Sequence, residues 1–91
     1  MHDPSLRVSP AARASISRDG LVLLDVECGL VLSSNAIGAR IWQLIEQRRR
    51  PDEIARHLAD EYAVPFERAR IDVAAFVAAL VARGLVTRVA A

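Results

Sequence analysis

The chain has 91 residues, of which 53% are hydrophobic and 25% are charged. This is the size of one domain, and the apolar content is high enough to fill a core, which excludes a disordered chain. The 12 basic residues are all arginine and nearly balance 11 acidic residues, so the net charge is +1. So small a charge lacks the basic footprint of a protein that binds duplex DNA.

Membrane, export and metal-site signals are missing from the sequence. Its apolar runs, such as residues 73–82, are shorter than the roughly 20 residues that cross a bilayer. No basic region followed by an apolar stretch opens the chain, so we expect no secretory signal and a cytoplasmic location. A single cysteine, Cys28, is widely separated from His2 and His57. That spacing predicts no internal disulfide, no metal site and no cofactor.

The first third of the chain predicts strands. Residues 14–17 and 21–26 flank a turn that contains Asp19-Gly20, a dipeptide typical of β-hairpins. A second turn over residues 27–29 leads to a third predicted strand, residues 30–33. Three short strands make a meander that needs helices over one face. Residues 1–10 are expected to be a flexible N-terminus, and residues 11–91 a single domain.

From Ser34 onward the apolar period changes from 2 to 3.6, which predicts three helices. The first runs to about residue 49 with Ser34 or Asn35 as its N-cap. The second begins at Pro51, and the third begins near Phe66 and ends at Gly84. Residues 85–89 form a last extended segment. Strands followed by helices predict an α+β fold.

Charge is unevenly distributed along the first two predicted helices. Residues 35–50 contain four arginines and one glutamate, a net charge of +3. Residues 51–63 contain four acidic residues and one arginine, a net charge of −3. We expect these two blocks to compensate each other or to face water.

The third helix is apolar on nearly all sides. Its predicted core stripe consists of Ala69, Val73, Phe76, Val77 and Leu80. A second stripe of mostly small residues consists of Ile71, Ala75, Ala78, Ala79 and Ala82. Alanine is a good helix former, yet an exposed apolar helix face also favours contact with a partner. If residues 30–33 lie at a sheet edge beside this helix, the cleft between them can accept an extended peptide as an added strand.

No catalytic constellation is visible. A nucleophile needs a base within hydrogen-bond reach, and Cys28 lies in a predicted turn without an identifiable histidine partner. His57 lies among charged residues of the second helix, and the glycines are too isolated to form a phosphate-binding loop. Trp42 is expected in the core, with its indole N–H bonded to a partner. The sequence therefore predicts that the protein is not an enzyme.

Several segments, in this order and spacing, resemble the PqqD-like family of standalone recognition proteins for the leaders of ribosomally made peptides. They are Val22-Leu23-Leu24-Asp25, Gly29, residues 35–42 (Asn-Ala-Ile-Gly-Ala-Arg-Ile-Trp), residues 51–59, Asp72-Val73 and Arg83-Gly84-Leu85-Val86. The Asn-x-x-Gly-x-x-Ile-Trp stretch is most similar to the small leader-binding proteins of lasso-peptide clusters. Two departures are Ser34, where the family usually has Leu, and Gln47-Arg48-Arg49-Arg50, where a Gly commonly closes the first helix.

The resemblance implies a winged-helix-like α+β fold, with a three-stranded antiparallel N-terminal sheet followed by three helices. It implies that a leader peptide binds as a strand between the third strand and the third helix. The implied peptide-binding residues are Leu30, Val31, Leu32, Ser33, Ile71, Asp72, Ala75, Phe76 and Ala79. The implied partner is a maturation enzyme, a cysteine leader protease in lasso systems or a radical-SAM enzyme in the PqqD case. Which flank of the helix faces the peptide stays open, as does the oligomeric state.

Two alternatives from other classes remain. A winged-helix nucleic-acid-binding module needs a recognition helix rich in basic and amide side chains, whereas the third helix here is rich in Ala and Val. A structural adaptor would bind a partner protein without delivering a peptide.

Overall fold

The computed structural model describes residues 5–89. Its elements in chain order are β1 (Ser5–Val8), β2 (Ala12–Ser17), β3 (Gly20–Asp25), β4 (Val31–Ser34), α1 (Ala36–Glu46), α2 (Pro51–Tyr62), α3 (Phe66–Ala82) and β5 (Val86–Val89). The predicted α+β fold is confirmed, because a three-stranded antiparallel sheet precedes three helices. None of the described helices is long and apolar enough to cross a membrane.

The three-stranded sheet has the order β2-β3-β4 and packs against α1. Leu23 of β3 lies opposite Ala14 of β2 and Leu32 of β4. Leu23 is fully buried, whereas its neighbour Val22 on the other face is 46% exposed. This alternation is the period of two that a half-buried strand requires.

A second sheet joins the two ends of the described chain. β1 pairs antiparallel with β5, and Leu6 of β1 is buried in the core. The sequence predicted a flexible segment over residues 1–10, and the structure instead shows a strand at residues 5–8. Its partner lies about 80 residues away in the sequence, so no local pattern reveals the pairing. Residues 1–4 lie outside the described residues.

The helix ends follow local capping chemistry. The Asn35 side chain accepts a hydrogen bond from Gly38 N–H at 3.0 Å, which identifies Asn35 as the N-cap of α1. α2 begins at Pro51 as predicted. At the end of α3, Gly84 has φ of +71° and the Leu85 N–H donates to the Leu80 carbonyl, a Schellman arrangement. After α1 the left-handed residue is Arg48, at φ of +64°, a conformation that glycine adopts more easily.

The core lies between the helices and the inner sheet face. Its largest fully buried side chains are Leu21, Leu23, Ile41, Trp42, Leu44, Ile45, Ile54, Val73, Val77, Leu80, Leu85 and Val86. The predicted core stripe of α3 is confirmed at four positions, and its fifth member, Phe76, is only partly buried. Trp42 is buried as predicted, but its indole N–H has no hydrogen-bond partner among the described residues, so that part of the prediction is wrong.

Candidate functional site

β4 forms one edge of the three-stranded sheet. Its residues pair with β3 on one side, and the other side has no strand partner within residues 5–89. The Asp25 N–H donates to the Leu30 carbonyl at 2.8 Å, so these two residues form a hydrogen-bonded pair. In an antiparallel ladder, hydrogen-bonded and non-hydrogen-bonded pairs alternate along the two strands. Leu32 therefore directs its backbone groups to β3, whereas Val31 and Ser33 direct their N–H and C=O groups to the free edge. Such groups can pair with an added strand.

Asp25 organises the turn that leads into β4. Its Oδ1 accepts hydrogen bonds from the backbone N–H groups of Glu27 at 2.9 Å and Cys28 at 3.2 Å. These bonds stabilise the carboxylate and lower the pKa of Asp25 below its usual value of 3.8. The carboxylate thus holds the β3–β4 turn in place and with it the start of the edge strand.

A cleft of about 510 Å³ opens where β4 ends, between α3 and the first turns of α1. Its α3 wall consists of Asp72, Ala75, Phe76 and Ala79, which share one helix face. Its other wall consists of Ser34, Asn35, Ile37, Gly38 and Ile41. The two alanines leave space that larger side chains would fill, and Phe76 and the two isoleucines make the walls apolar.

Glycine at position 38 lets the two walls approach each other. A Cβ atom there would overlap Ser34 Oγ, and it would lie 2.7 Å from Ser34 Cβ and 3.1 Å from Phe76 Cε1. Carbon atoms in contact are usually separated by about 3.5–4.0 Å. The close approach of β4, α1 and α3 at the cleft therefore requires a residue without a side chain.

A second, smaller hollow of about 330 Å³ adjoins the cleft. The two share Ile37 and Asp72, and the hollow continues between the end of α2 and the start of α3, where Leu58, Tyr62 and Pro65 line it. Arg68 Nε lies 3.3 Å from Asp72 Oδ2, so an ion pair marks the border of the two spaces.

Comparison with known proteins places the chain in a family. The family model of coenzyme PQQ synthesis protein D (PqqD) matches residues 20–86, nearly three quarters of the sequence. The chain belongs to the PqqD family. The matched region runs from β3 to the start of β5, and so includes every element that forms the cleft.

Two solved structures resemble this PqqD-family protein over most of its length. TbiB1, solved in complex with the TbiA(beta) leader peptide, is 32% identical, with a TM-score of 0.81 covering 88% of this chain and 93% of TbiB1. A lasso peptide synthetase B1 complexed with its leader peptide is 30% identical, with a TM-score of 0.80 covering 90% of this chain and 96% of the other. A search of curated proteins gave no significant match.

The structure brings together only part of the predicted peptide-binding set. The four predicted residues Asp72, Ala75, Phe76 and Ala79 line the cleft together from one flank of α3. The fifth helical residue, Ile71, does not line it and is 55% exposed. Residues 30–33 belong to the edge strand or directly precede it, but they do not line the cleft.

Five cleft residues were missed by the sequence interpretation. They are Ser34, Asn35, Ile37, Gly38 and Ile41. The sequence pattern that could have identified them is the N-cap Asn35 followed three residues later by Gly38. A glycine in the first helical turn allows another element to approach closely. The spacing alone does not show which element approaches.

The charged blocks of α1 and α2 meet at one cluster. Arg40 Nη2 lies 3.1 Å from Glu61 Oε1 and 2.9 Å from His57 Nε2, and His57 Nε2 lies 3.1 Å from the same glutamate oxygen. Burial opposes ionisation of Glu61, but the hydrogen bonds from Arg40 and His57 outweigh it and lower the pKa of Glu61. The ion pair between α1 and α2 is thus Arg40–Glu61, and His57 contacts both partners. The exposed Cys28 lies in the β3–β4 turn.

Proposed function

We propose that this protein binds the leader of a ribosomally made precursor peptide as an added strand along β4 and presents it to a maturation enzyme. The observation that carries the proposal is a strand edge that has no partner within residues 5–89 and ends at an apolar cleft. The two similar solved structures contain leader peptides, which supports the same ligand class here. One of them is a lasso peptide synthetase B1, which favours a lasso-peptide leader protease over a radical-SAM enzyme as the partner.

Recognition would combine backbone and side-chain contacts. The outward N–H and C=O groups of Val31 and Ser33 would pair with the backbone of the leader. Side chains of an added strand alternate between faces, so every second leader residue would turn toward α3. An apolar leader side chain that reaches the cleft would pack against Phe76, Ala75 and Ala79. Backbone pairing would supply affinity, and the cleft would select the side chain.

The protein would contribute binding, while the partner enzyme would carry out the chemistry. We expect a leader affinity between micromolar and nanomolar, a binding free energy of roughly −8 to −12 kcal/mol. The test is a fluorescence-anisotropy titration with two labelled leaders, those of the TbiB1 complex and of the lasso peptide synthetase B1 complex. Scrambled versions are the controls. Failure of both leaders to bind saturably, or cleavage of either by the purified protein alone, contradicts the proposal.

A proline at the free edge tests the added strand directly. Ser33→Pro removes an outward N–H while keeping the bonds between β3 and β4, and proline is tolerated at edge positions of this kind. We expect the variant to fold and to bind the leader about tenfold more weakly or worse, since a charge-free backbone bond contributes about 1 kcal/mol and the ring also obstructs the strand. Ser33→Ala is the matched control and should bind normally, because the Ser33 side chain is exposed. Equal affinities for the two variants would place the leader elsewhere.

A further inference from the structure

A cavity of about 590 Å³ lies at the opposite end of α1 from the cleft. It is bordered by the carboxyl end of α1, by Arg48 and Arg50 of the following loop, by β1, and by Val89 of β5. Residues 48–50 are three consecutive arginines, and leader binding along β4 gives them no function.

The cavity carries a positive charge. Arg7, Arg48 and Arg50 line it, against a single carboxylate, Glu46. Arginine keeps its charge at every physiological pH. Within residues 5–89 no ion pair joins any of these three arginines to a carboxylate, in contrast to Arg40 in the middle of α1. The charged blocks were expected to compensate each other or to face water. Arg40 is compensated by α2, and Arg48 is exposed to water.

The cavity also contains the free edge of a strand. All four residues of β1, Ser5–Val8, border it. Successive side chains of a strand point to opposite faces, so consecutive residues border one space only if the edge of the strand faces it. β1 pairs with β5 on one side and with no other described strand. Backbone hydrogen-bonding groups and guanidinium groups therefore border the same cavity.

Arg48, which lines the cavity, has an unfavourable backbone conformation. Its φ of +64° is left-handed, and for a residue other than glycine this conformation raises the free energy by about 1–2 kcal/mol. Backbone hydrogen bonds of the helix cap account for it. The Arg48 N–H donates to the Ile45 carbonyl at 2.9 Å and the Arg49 N–H to the Leu44 carbonyl at 3.1 Å, the same Schellman arrangement that ends α3. The cap fixes the point at which residues 48–50 leave the helix beside the cavity.

We propose that this cavity binds an extended acidic segment of a partner protein, which pairs with the edge of β1 and places its carboxylates on Arg7, Arg48 and Arg50. Guanidinium groups bind carboxylates in a bidentate manner, and a strand edge binds only a peptide backbone. The edge therefore favours a peptide over a free phosphate or a nucleic acid. The nearest α1 residues of the two sites, Ile41 of the cleft and Ile45 of the cavity, are about 6 Å apart along the helix axis. The two sites share no lining residue, so both can be occupied together. The inference does not depend on leader binding.

The first experiment is an NMR titration of the full chain with a capped hexapeptide of alternating Glu and Val. We expect amide shifts at residues 5–8 and 45–50 and none at residues 34–38 or 72–79. The same peptide with Gln for Glu should bind at least about tenfold more weakly, because charge-assisted bonds are about twice as strong as neutral ones. Absence of binding, equal affinity of the two peptides, or shifts confined to the cleft overturns the proposal. Inorganic phosphate or a single-stranded oligonucleotide that binds more tightly at these residues also overturns it.

The second experiment removes the charges. The double variant Arg7→Gln/Arg50→Gln should lower the affinity for the acidic peptide about tenfold or more, in line with the loss of two charge-assisted contacts. Arg13→Gln/Arg18→Gln removes the same charge from the β2–β3 hairpin and should change the affinity less than about twofold, since neither arginine lines the cavity and exposed charges are screened. Equal losses in the two variants would contradict a local site. If the first variant does not fold, Arg48→Asn replaces it, since asparagine tolerates a left-handed φ.

Discussion

The two ends of α1 border cavities of similar volume and opposite chemistry. At the amino end, about 510 Å³ is enclosed by alanines, isoleucines and Phe76. At the carboxyl end, about 590 Å³ is enclosed by three arginines, one glutamate and a strand edge. The volumes differ little, so wall chemistry, and not size, distinguishes the ligands that the two sites can hold.

The difference has a physical consequence for binding. Burial of apolar surface in the cleft contributes about 25 cal/mol per Å², and this contribution is nearly independent of ionic strength. Charge pairs in the arginine-lined cavity are screened by salt, with a Debye length of about 8 Å at physiological ionic strength. A protein with these two sites can hold an apolar peptide and an acidic partner segment at once.

The largest expected effect comes from adding one methyl group at position 38 in the wall of the cleft. Gly38→Ala places a Cβ atom on Ser34 and against Phe76, and we expect a loss of about 3 kcal/mol in the free energy of unfolding, the upper range for overpacking. Leader binding should weaken with it, whereas acidic-peptide binding at the other end of α1 should persist. Urea denaturation and the two titrations measure these effects.

The control for this variant removes the obstructing side chain. Ser34→Gly/Gly38→Ala deletes the Ser34 atoms that the new methyl group overlaps, so it should recover part of the lost stability relative to Gly38→Ala. Wild-type stability and leader affinity in Gly38→Ala would show that the walls are not held together by this contact.

A somewhat smaller effect is expected when the cleft is filled without disturbing the core. Ala75 is exposed, so Ala75→Leu should leave the melting temperature within about 2 °C, because the difference in helix propensity is only tenths of a kcal/mol. It should reduce leader affinity by about 2 kcal/mol, roughly thirtyfold. Ala74→Leu adds the same side chain to an exposed position that does not line the cleft and should bind the leader normally. A lower melting temperature for Ala75→Leu would identify Ala75 as a core position.

The salt dependence of binding should distinguish the cleft from the arginine-lined cavity. Raising NaCl from about 50 to about 500 mM should lower the affinity for the acidic peptide about fivefold and the affinity for the leader less than about twofold. Isothermal titration calorimetry on one protein sample measures both. A leader affinity that falls as steeply as that of the acidic peptide would mean that charge, and not apolar burial, dominates the cleft.

The smallest effect concerns Glu61, which pairs with Arg40 between α1 and α2. Because its pKa is lowered from 4.5 in the folded protein, its stabilisation is complete above that value and is lost as pH falls through the lower folded pKa. Both side chains are about one-third exposed, so we expect less than about 1 kcal/mol. Urea denaturation at neutral and acidic pH should show a weaker pH dependence for Glu61→Gln. In a double-mutant cycle, the absence of coupling with Arg40→Gln would contradict the pair.

The sequence alone determined the elements that adjacent residues encode. Alternation and the Asp-Gly turn predicted β2, β3 and β4, and the 3.6-residue period predicted three helices. Residue types predicted an N-cap at Ser34 or Asn35, a helix start at Pro51 and a C-terminal cap at Gly84. It also identified four α3 residues that line the cleft, because one helix face is readable from spacing. These features depend on neighbours within a few positions in the chain.

Tertiary structure alone decided which of these surfaces meet. It paired β1 with β5, gave the cleft its second wall through Gly38, and placed Arg7, Arg48 and Arg50 around one cavity. It also left the indole N–H of Trp42 without a partner among residues 5–89. Each of these features joins residues that are distant in sequence or depends on the packing around a single atom. Periodicity reports the face on which a side chain lies, but it carries no information about the element that the fold places opposite that face.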